Sequence, residues 1–226
     1  GSAIVSRTGY NERDLMDYNA QSVKADLALH YRPFGDDLEF IYNGRIGRGT
    51  TIYQGINRYY VDGFKMQQHK LEVRNDNFFL RGYIVAENSG DAYDSRFAAI
   101  NTNRRWKGDT QWFTEYAETF IGARLGVGTG VQLPEDQAHA LARQVADTGR
   151  LVPGTPEFER AFNSVINDGD LTTGAKFIDN TKFRHVNGNY NLAHLINDWA
   201  DIQVGGSYRQ YELNSQGTIF TDIDGP

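Results

Sequence analysis

A chain of 226 residues suffices for one large or two small domains, and with a mean hydropathy of -0.58 it offers no run of the roughly 18 apolar residues that a membrane helix needs. The net charge of -6 comes without a basic cluster, which argues against a nucleic-acid surface, and the absence of cysteine excludes disulfides, thiolate chemistry and Cys-ligated metals. A β-barrel stays open, because only every second residue of a barrel strand faces lipid and mean hydropathy remains low.

The opening Gly1-Ser2-Ala3-Ile4-Val5-Ser6-Arg7 has neither the charged region nor the apolar core of a secretory signal. An envelope protein would therefore start upstream of it, and both ends of the chain read as internal. From Ser22 to Arg32 the odd positions Val23, Ala25, Leu27, Leu29 and Tyr31 are apolar, and the even ones are polar apart from Ala28. This predicts a strand of about ten residues, the span that a tilted strand needs to cross a bilayer. The odd side is expected to face lipid, and Lys24, Asp26, His30 and Arg32 to face a lumen.

Pro33-Phe34-Gly35-Asp36-Asp37 reads as a tight turn. A second strand follows over Leu38–Thr50, with Leu38, Phe40, Tyr42 and Ile46 on one face and Glu39, Asn43 and Arg45 on the other. Ile41 and Arg48 each break that pattern. A tyrosine-rich loop over Thr51–Asp62, with Tyr53, Tyr59 and Tyr60, leads to a third strand over Gly63–Val73. Its alternation changes phase near Phe64 and Met66, the mark of a bulge. Asn75-Asp76-Asn77 turns the chain into a fourth strand over Phe78–Asn88.

From Ser89 to about His185 the period becomes helical. Asp109 or Thr110 caps a helix through Trp112, Phe113, Tyr116 and Phe120. Pro134-Glu135-Asp136 opens another, which Gly149 stops, and Thr155-Pro156-Glu157 opens a third, with Gly169 after it. Strands resume near Val186. The fifth, over about 187–197, sets Tyr190, Leu192, His194 and Ile196 on one face; Asn197-Asp198-Trp199-Ala200 turns it into a sixth over about 201–213. Short turns thus fall on one edge and long connections on the other, as in outer-membrane barrels. The expected fold is mainly β: an antiparallel up-and-down meander forming part of a transmembrane β-barrel over 1–226, with a helical extracellular insertion over 89–185.

Several strings carry a resemblance. Asp17-Tyr18-Asn19 before Ala28-Leu29-His30-Tyr31-Arg32, then Tyr42-Asn43-Gly44-Arg45-Ile46-Gly47, Phe78-Phe79-Leu80-Arg81-Gly82-Tyr83, Glu87-Asn88-Ser89-Gly90-Asp91-Ala92-Tyr93 and Val204-Gly205-Gly206-Ser207-Tyr208-Arg209-Gln210-Tyr211 together resemble TonB-dependent receptors of the Bacteroidetes type, from about Asp17 to Asp222. The resemblance implies a barrel wall in the cell outer membrane, in contact with membrane lipid, importing a nutrient ligand with energy passed through TonB. The plug domain and TonB box would lie upstream of Gly1, so this chain would hold part of the wall and could not transport by itself. A soluble β-rich carbohydrate- or ligand-binding module with a helical insertion is the alternative.

No nucleophile motif, P-loop or metal-ligand spacing stands out, so neither enzymatic activity nor a cofactor is expected. Gly122 to Gly130 lacks the Lys-Ser/Thr of a phosphate loop. The five histidines are scattered, and Asp168-Gly169-Asp170 lacks the completing Glu of a calcium loop. Trp106, Trp112, Phe113, Tyr116 and Phe120 read either as a sugar-stacking platform or as the core of a helical loop. Trp106, Trp112, Tyr59 and Tyr60 are the candidate ligand-binding residues.

Overall fold

The computed structural model describes residues 4–35, 37–128, 130–196 and 200–223. In chain order these form strands β1 (Gln21–Tyr31), β2 (Glu39–Gln54), β3 (Arg58–Arg74), β4 (Phe78–Asn88) and β5 (Asp91–Asp94), helices α1 (Ser95–Trp106), α2 (Asp109–Leu125), α3 (Glu135–Ala146) and α4 (Pro156–Ile166), then β6 (Lys176–Phe177), β7 (Lys182–Asn191) and β8 (Gln203–Glu212). The chain divides into a helical unit, built from residues 1–17, 54–58 and 93–176, and a sheet unit holding the rest.

The sheet runs β1-β2-β3-β4-β7-β8, with short β5 paired to β3 and β6. Ladders β1–β2, β3–β4, β4–β7 and β7–β8 are all antiparallel. The expected meander of sequence neighbours is therefore observed, and among the described residues β1 and β8 are left as edges.

Two expected boundaries move. The loop placed at Thr51–Asp62 is mostly strand: β2 continues to Gln54, β3 begins at Arg58, and only Gly55-Ile56-Asn57 remain as a turn, closed by the Gly55 amide donating to the Asn57 carbonyl at 2.9 Å. Thr50, Thr51, Ile52 and Tyr53, then Tyr59, Tyr60 and Val61, are β-branched or aromatic, and in a paired hairpin that preference outweighs the loop reading. The fifth strand also lies earlier than expected, at Lys182–Asn191. Asn191 ends it, because its side-chain oxygen accepts the Ala193 amide at 2.8 Å and a single 3-10 turn, Ala193–Leu195, follows. His194 thus sits in a turn rather than on a strand face. Of the turn expected at 197–200, only Ala200 lies within the described residues.

The expected phase change in β3 is present. Side chains that meet across a strand pair share a face. Thr50 meets Asp62, an even position, at 2.6 Å, whereas Tyr42, on the same face of β2, meets His69, an odd position, at 2.8 Å. β3 therefore gains one residue between them. Gly63 supplies it, at φ +69°, a left-handed conformation that glycine adopts without steric cost.

The helical unit has its own core. Trp112 and Tyr116 of α2 stack at 5.2 Å and pack on Ala142 and Ala146 of α3. Phe158 and Phe162 of α4 stack at 5.5 Å, and Tyr93 meets Phe162 edge-on. The three predicted helices are found. α1 is an addition: Asp94 caps it by accepting the Arg96 and Phe97 amides. Its buried positions include Asn101, Thr102 and Asn103, so no apolar stripe marks it in the sequence. Gly126, in the left-handed region at φ +77°, closes α2.

Residues 4–17 strap across this unit. Arg7 donates to the Lys107 carbonyl at 2.8 Å and to Asp109 at 2.7 Å, and the Asn103 amide donates to the Thr8 carbonyl at 3.0 Å. Further along, Tyr10 packs edge-on against Phe158 at 5.2 Å, and the Tyr93 hydroxyl donates to the Leu15 carbonyl.

Candidate membrane-facing surface

Strand alternation and register together assign every side chain of the six long strands to one of two faces. One face carries Val23, Ala25, Leu27, Leu29 and Tyr31 of β1, Phe40, Tyr42 and Ile46 of β2, Leu71 and Val73 of β3, Phe78, Leu80, Ile84 and Ala86 of β4, Val186 and Tyr190 of β7, and Val204 and Tyr208 of β8. Gly44, Gly82, Gly188 and Gly206 fill positions between them. This apolar face is the open one: Val23 is 70 %, Leu71 66 % and Val186 48 % exposed.

The opposite face is polar and, on the inner strands, better covered. Glu39, Glu72 and His185 are 6 %, 8 % and 8 % exposed. Glu39 holds Arg74 at 2.7 Å, His30 at 2.9 Å and Arg32 at 3.2 Å, which links three adjacent strands. Asp26 meets Arg45 at 2.7 Å, and Arg81 donates to Asn187 at 2.9 Å. Rings are mixed in among these groups. Tyr83 packs on His185 at 5.0 Å, Phe183 stacks on Tyr211 at 4.9 Å, and the Arg209 guanidinium lies 5.4 Å from the Phe183 ring centre.

A sheet of a water-soluble protein buries its apolar face and solvates its polar one. This sheet leaves its apolar face open, and on its inner strands the polar face is the better covered one. Both pattern-breakers fit that inversion. Ile41 is the buried apolar residue of the polar face, and Arg48 belongs to a set of charges at one end of the apolar face.

Those charges are confined. On the apolar face the Asp, Glu, Lys and Arg residues of these strands are Arg48, Arg58, Asp62, Lys65, Lys182, Arg184 and Glu212, all toward the end that carries the Gly55–Asn57 turn. The other end of the same face is aromatic. Tyr31 stands opposite Phe40, and Phe78 opposite Tyr190 with ring centres 6.3 Å apart.

A groove of about 860 Å³ opens along β1, β2 and β3, lined among others by Gln21, Lys24, Arg45, Thr50, Phe64 and Gln68. Among the described residues no cluster of metal-ligating side chains occurs.

The four candidate ligand-binding residues fall into different units. Trp112 is fully buried, with its indole N–H donating to Asp147 at 2.9 Å, so it has no ring face to offer a ligand. Trp106 is half-buried against the same core, with the Lys107 ammonium 4.7 Å from its ring centre. Of the two readings of the aromatic cluster, the helical core describes Trp112 and Tyr116. In the sheet unit, Tyr59 is half-buried between Tyr53 at 6.1 Å and Phe177 at 5.2 Å, and Tyr60 is half-buried on β3.

Several carboxylates of the helical unit titrate low. Partial burial works to raise Asp109, but hydrogen bonds from Arg7 and Arg104 outweigh it and hold the carboxyl below the usual Asp range. The hydrogen bond from Lys107 lowers Glu115, and that from the Thr173 hydroxyl lowers Asp168. Burial raises the Tyr10 phenol.

No family model, curated protein or solved structure matches the chain.

Proposed function

We propose that the sheet unit is a stretch of outer-membrane β-barrel wall, belonging to a TonB-dependent receptor that imports a nutrient ligand, with the helical unit as a large loop at its extracellular end. The observation that carries this reading is the inverted sheet. An exposed apolar face six strands wide, free of charge except at one end, is costly against water and matched to hydrocarbon. The opposite face, with its ion pairs and hydrogen-bonded amides, suits a polar interior.

Three further features support it. The aromatic residues at the end of the apolar face away from the Gly55–Asn57 turn, Tyr31, Phe40, Phe78 and Tyr190, have the composition of an interfacial girdle. The long edges of β1 and β8 carry unpaired backbone groups that further strands of the same wall would take up. The charged end also steps along the register: Lys65 of β3 lies one same-face position further toward the loop end than Gln67, the residue in line with Lys182 through Ala86. Strands tilted by about 35–45° and spaced about 4.8 Å apart lower a horizontal line by about one residue per strand, or roughly two from β3 to β7, which is the step from Lys65 to Lys182.

The test is partition of the purified chain between buffer, detergent micelles and phosphatidylcholine vesicles. Stable monomer and strand signal only in micelles or vesicles is the expected result. A folded monomer in plain buffer would overturn the reading and favour a soluble β-rich ligand-binding module.

A further inference from the structure

The cations at the loop end of the apolar face stand where charge is least expected on a sheet face otherwise kept free of it. Arg48, Lys65, Lys182 and Arg184 are all exposed and point to the same side as the apolar band. Opposing them on that face is Glu212, which meets Arg184 at 3.3 Å and Lys182 at 3.5 Å. Asp62, near Arg48 in the β2–β3 hairpin, lies on the same face and accepts the Thr50 hydroxyl. The four cations therefore exceed the two acids beside them, Asp62 and Glu212, and their charge directly adjoins the apolar surface.

Resting on the membrane reading above, we propose that this row binds the phosphates of anionic lipid headgroups in the leaflet at the loop end of the wall. The chain tails of such a lipid lie along Ile46, Ile84 and Val186, and its phosphate meets the cations just beyond. Long Lys and Arg side chains reach from a strand to the headgroup level while their stems stay on apolar surface. Anionic headgroups attract basic groups near a membrane surface, and each cation adds to the affinity. Among the described residues, the opposite end of the same face has aromatic residues and no cation, so the recognition is confined to one leaflet.

The experiment compares flotation of the full chain with vesicles of pure phosphatidylcholine and with vesicles in which about a third of the lipid is phosphatidylglycerol. The variant is Arg48→Gln, Lys65→Gln, Lys182→Gln and Arg184→Gln combined; a control variant, Lys24→Gln with Arg81→Gln, removes charge from the polar face. The native chain and the control should partition at least about tenfold better into the anionic vesicles. The fourfold variant should bind both kinds equally while keeping its partition into neutral vesicles. Anionic preference retained by that variant, or abolished equally by millimolar inorganic phosphate, overturns the headgroup site alone. Failure of the native chain to enter neutral vesicles overturns the membrane reading, and the headgroup site with it.

Discussion

Ile84 of β4 stands directly opposite Arg184 of β7, and both project from the same face of the sheet. An exposed isoleucine and an exposed guanidinium are thus immediate neighbours, and the boundary of the apolar band passes between them. Below this boundary the face holds Leu71, Gly82, Val186 and Tyr208 in one continuous line of register.

That boundary makes the cost of a new charge depend on depth. Leu71→Arg, in the middle of the band, should cost roughly 2–4 kcal/mol of folded stability in a phosphatidylcholine bilayer, and Ala86→Arg, beside Lys182, about 0–1 kcal/mol. Urea titration in vesicles reads both. Equal costs at the two positions would remove the band from the explanation.

Alternation on β1 gives a second expectation. Spin labels on Cys variants at Val23, Leu27 and Leu29 of a complete receptor should be reached by oxygen dissolved in lipid, and labels at Lys24, Asp26 and Ala28 by a water-soluble nickel complex. Access without the period of two would mean that the odd face of this strand is not against lipid.

The helical unit should depend on Trp112 as a core residue. Trp112→Ala should cost about 3–5 kcal/mol, the range for emptying a large aromatic site. Trp112→Phe should cost less and leave Asp147 without its indole donor. Chemical denaturation followed by helical circular dichroism measures this. A loss of ligand binding at unchanged stability in Trp112→Phe would instead point to a direct ligand contact.

Acid should loosen the same unit. Asp109, Glu115 and Asp168 are held below their ordinary values when folded. Their contribution is complete above the unfolded carboxylate range, near pH 4, and is lost as pH falls through the lower folded values. The melting temperature of the helical signal should therefore fall below about pH 4. Asp109→Asn should shrink that dependence and lower the midpoint at neutral pH, because Arg7 and Arg104 lose their charged partner. An unchanged pH profile in Asp109→Asn would mean that the Arg7 strap contact contributes no linkage.

In a complete receptor, deleting about 109–170 should preserve membrane insertion and lower ligand uptake. The strap of residues 4–17 adds a local readout, since its partners Lys107, Asp109 and Asp147 lie on or beside the deleted helices. Protease sensitivity should appear around Arg7 in the deletion variant. Unchanged uptake with normal assembly would leave the helical unit as a cap without a ligand role.

Local chemistry in the sequence determined where most elements lie. Period-two alternation placed β1 and β4 and divided their side chains between two faces, the Pro and Thr caps placed α3 and α4, and the altered phase near Phe64 marked the extra residue of β3. The same local signals misplaced the hairpin at Gly55–Asn57 and missed α1. Tyrosine and threonine favour a strand only when a partner is there to pair with, and a helix that buries Asn101, Thr102 and Asn103 leaves no apolar period to read.

What the sequence could not decide is which face of the sheet stays open. Alternation says that two unlike faces exist, and it is silent on which one is covered. The registers between β1–β2, β3–β4, β4–β7 and β7–β8 bring the charges of distant segments to one end of the apolar face and leave its centre bare. Likewise, the spacing of Trp112 and Tyr116 fits a binding platform as well as a core, and only packing against Ala142 and Ala146 makes them interior. Both outcomes depend on contacts between residues far apart in the chain, which no local pattern encodes.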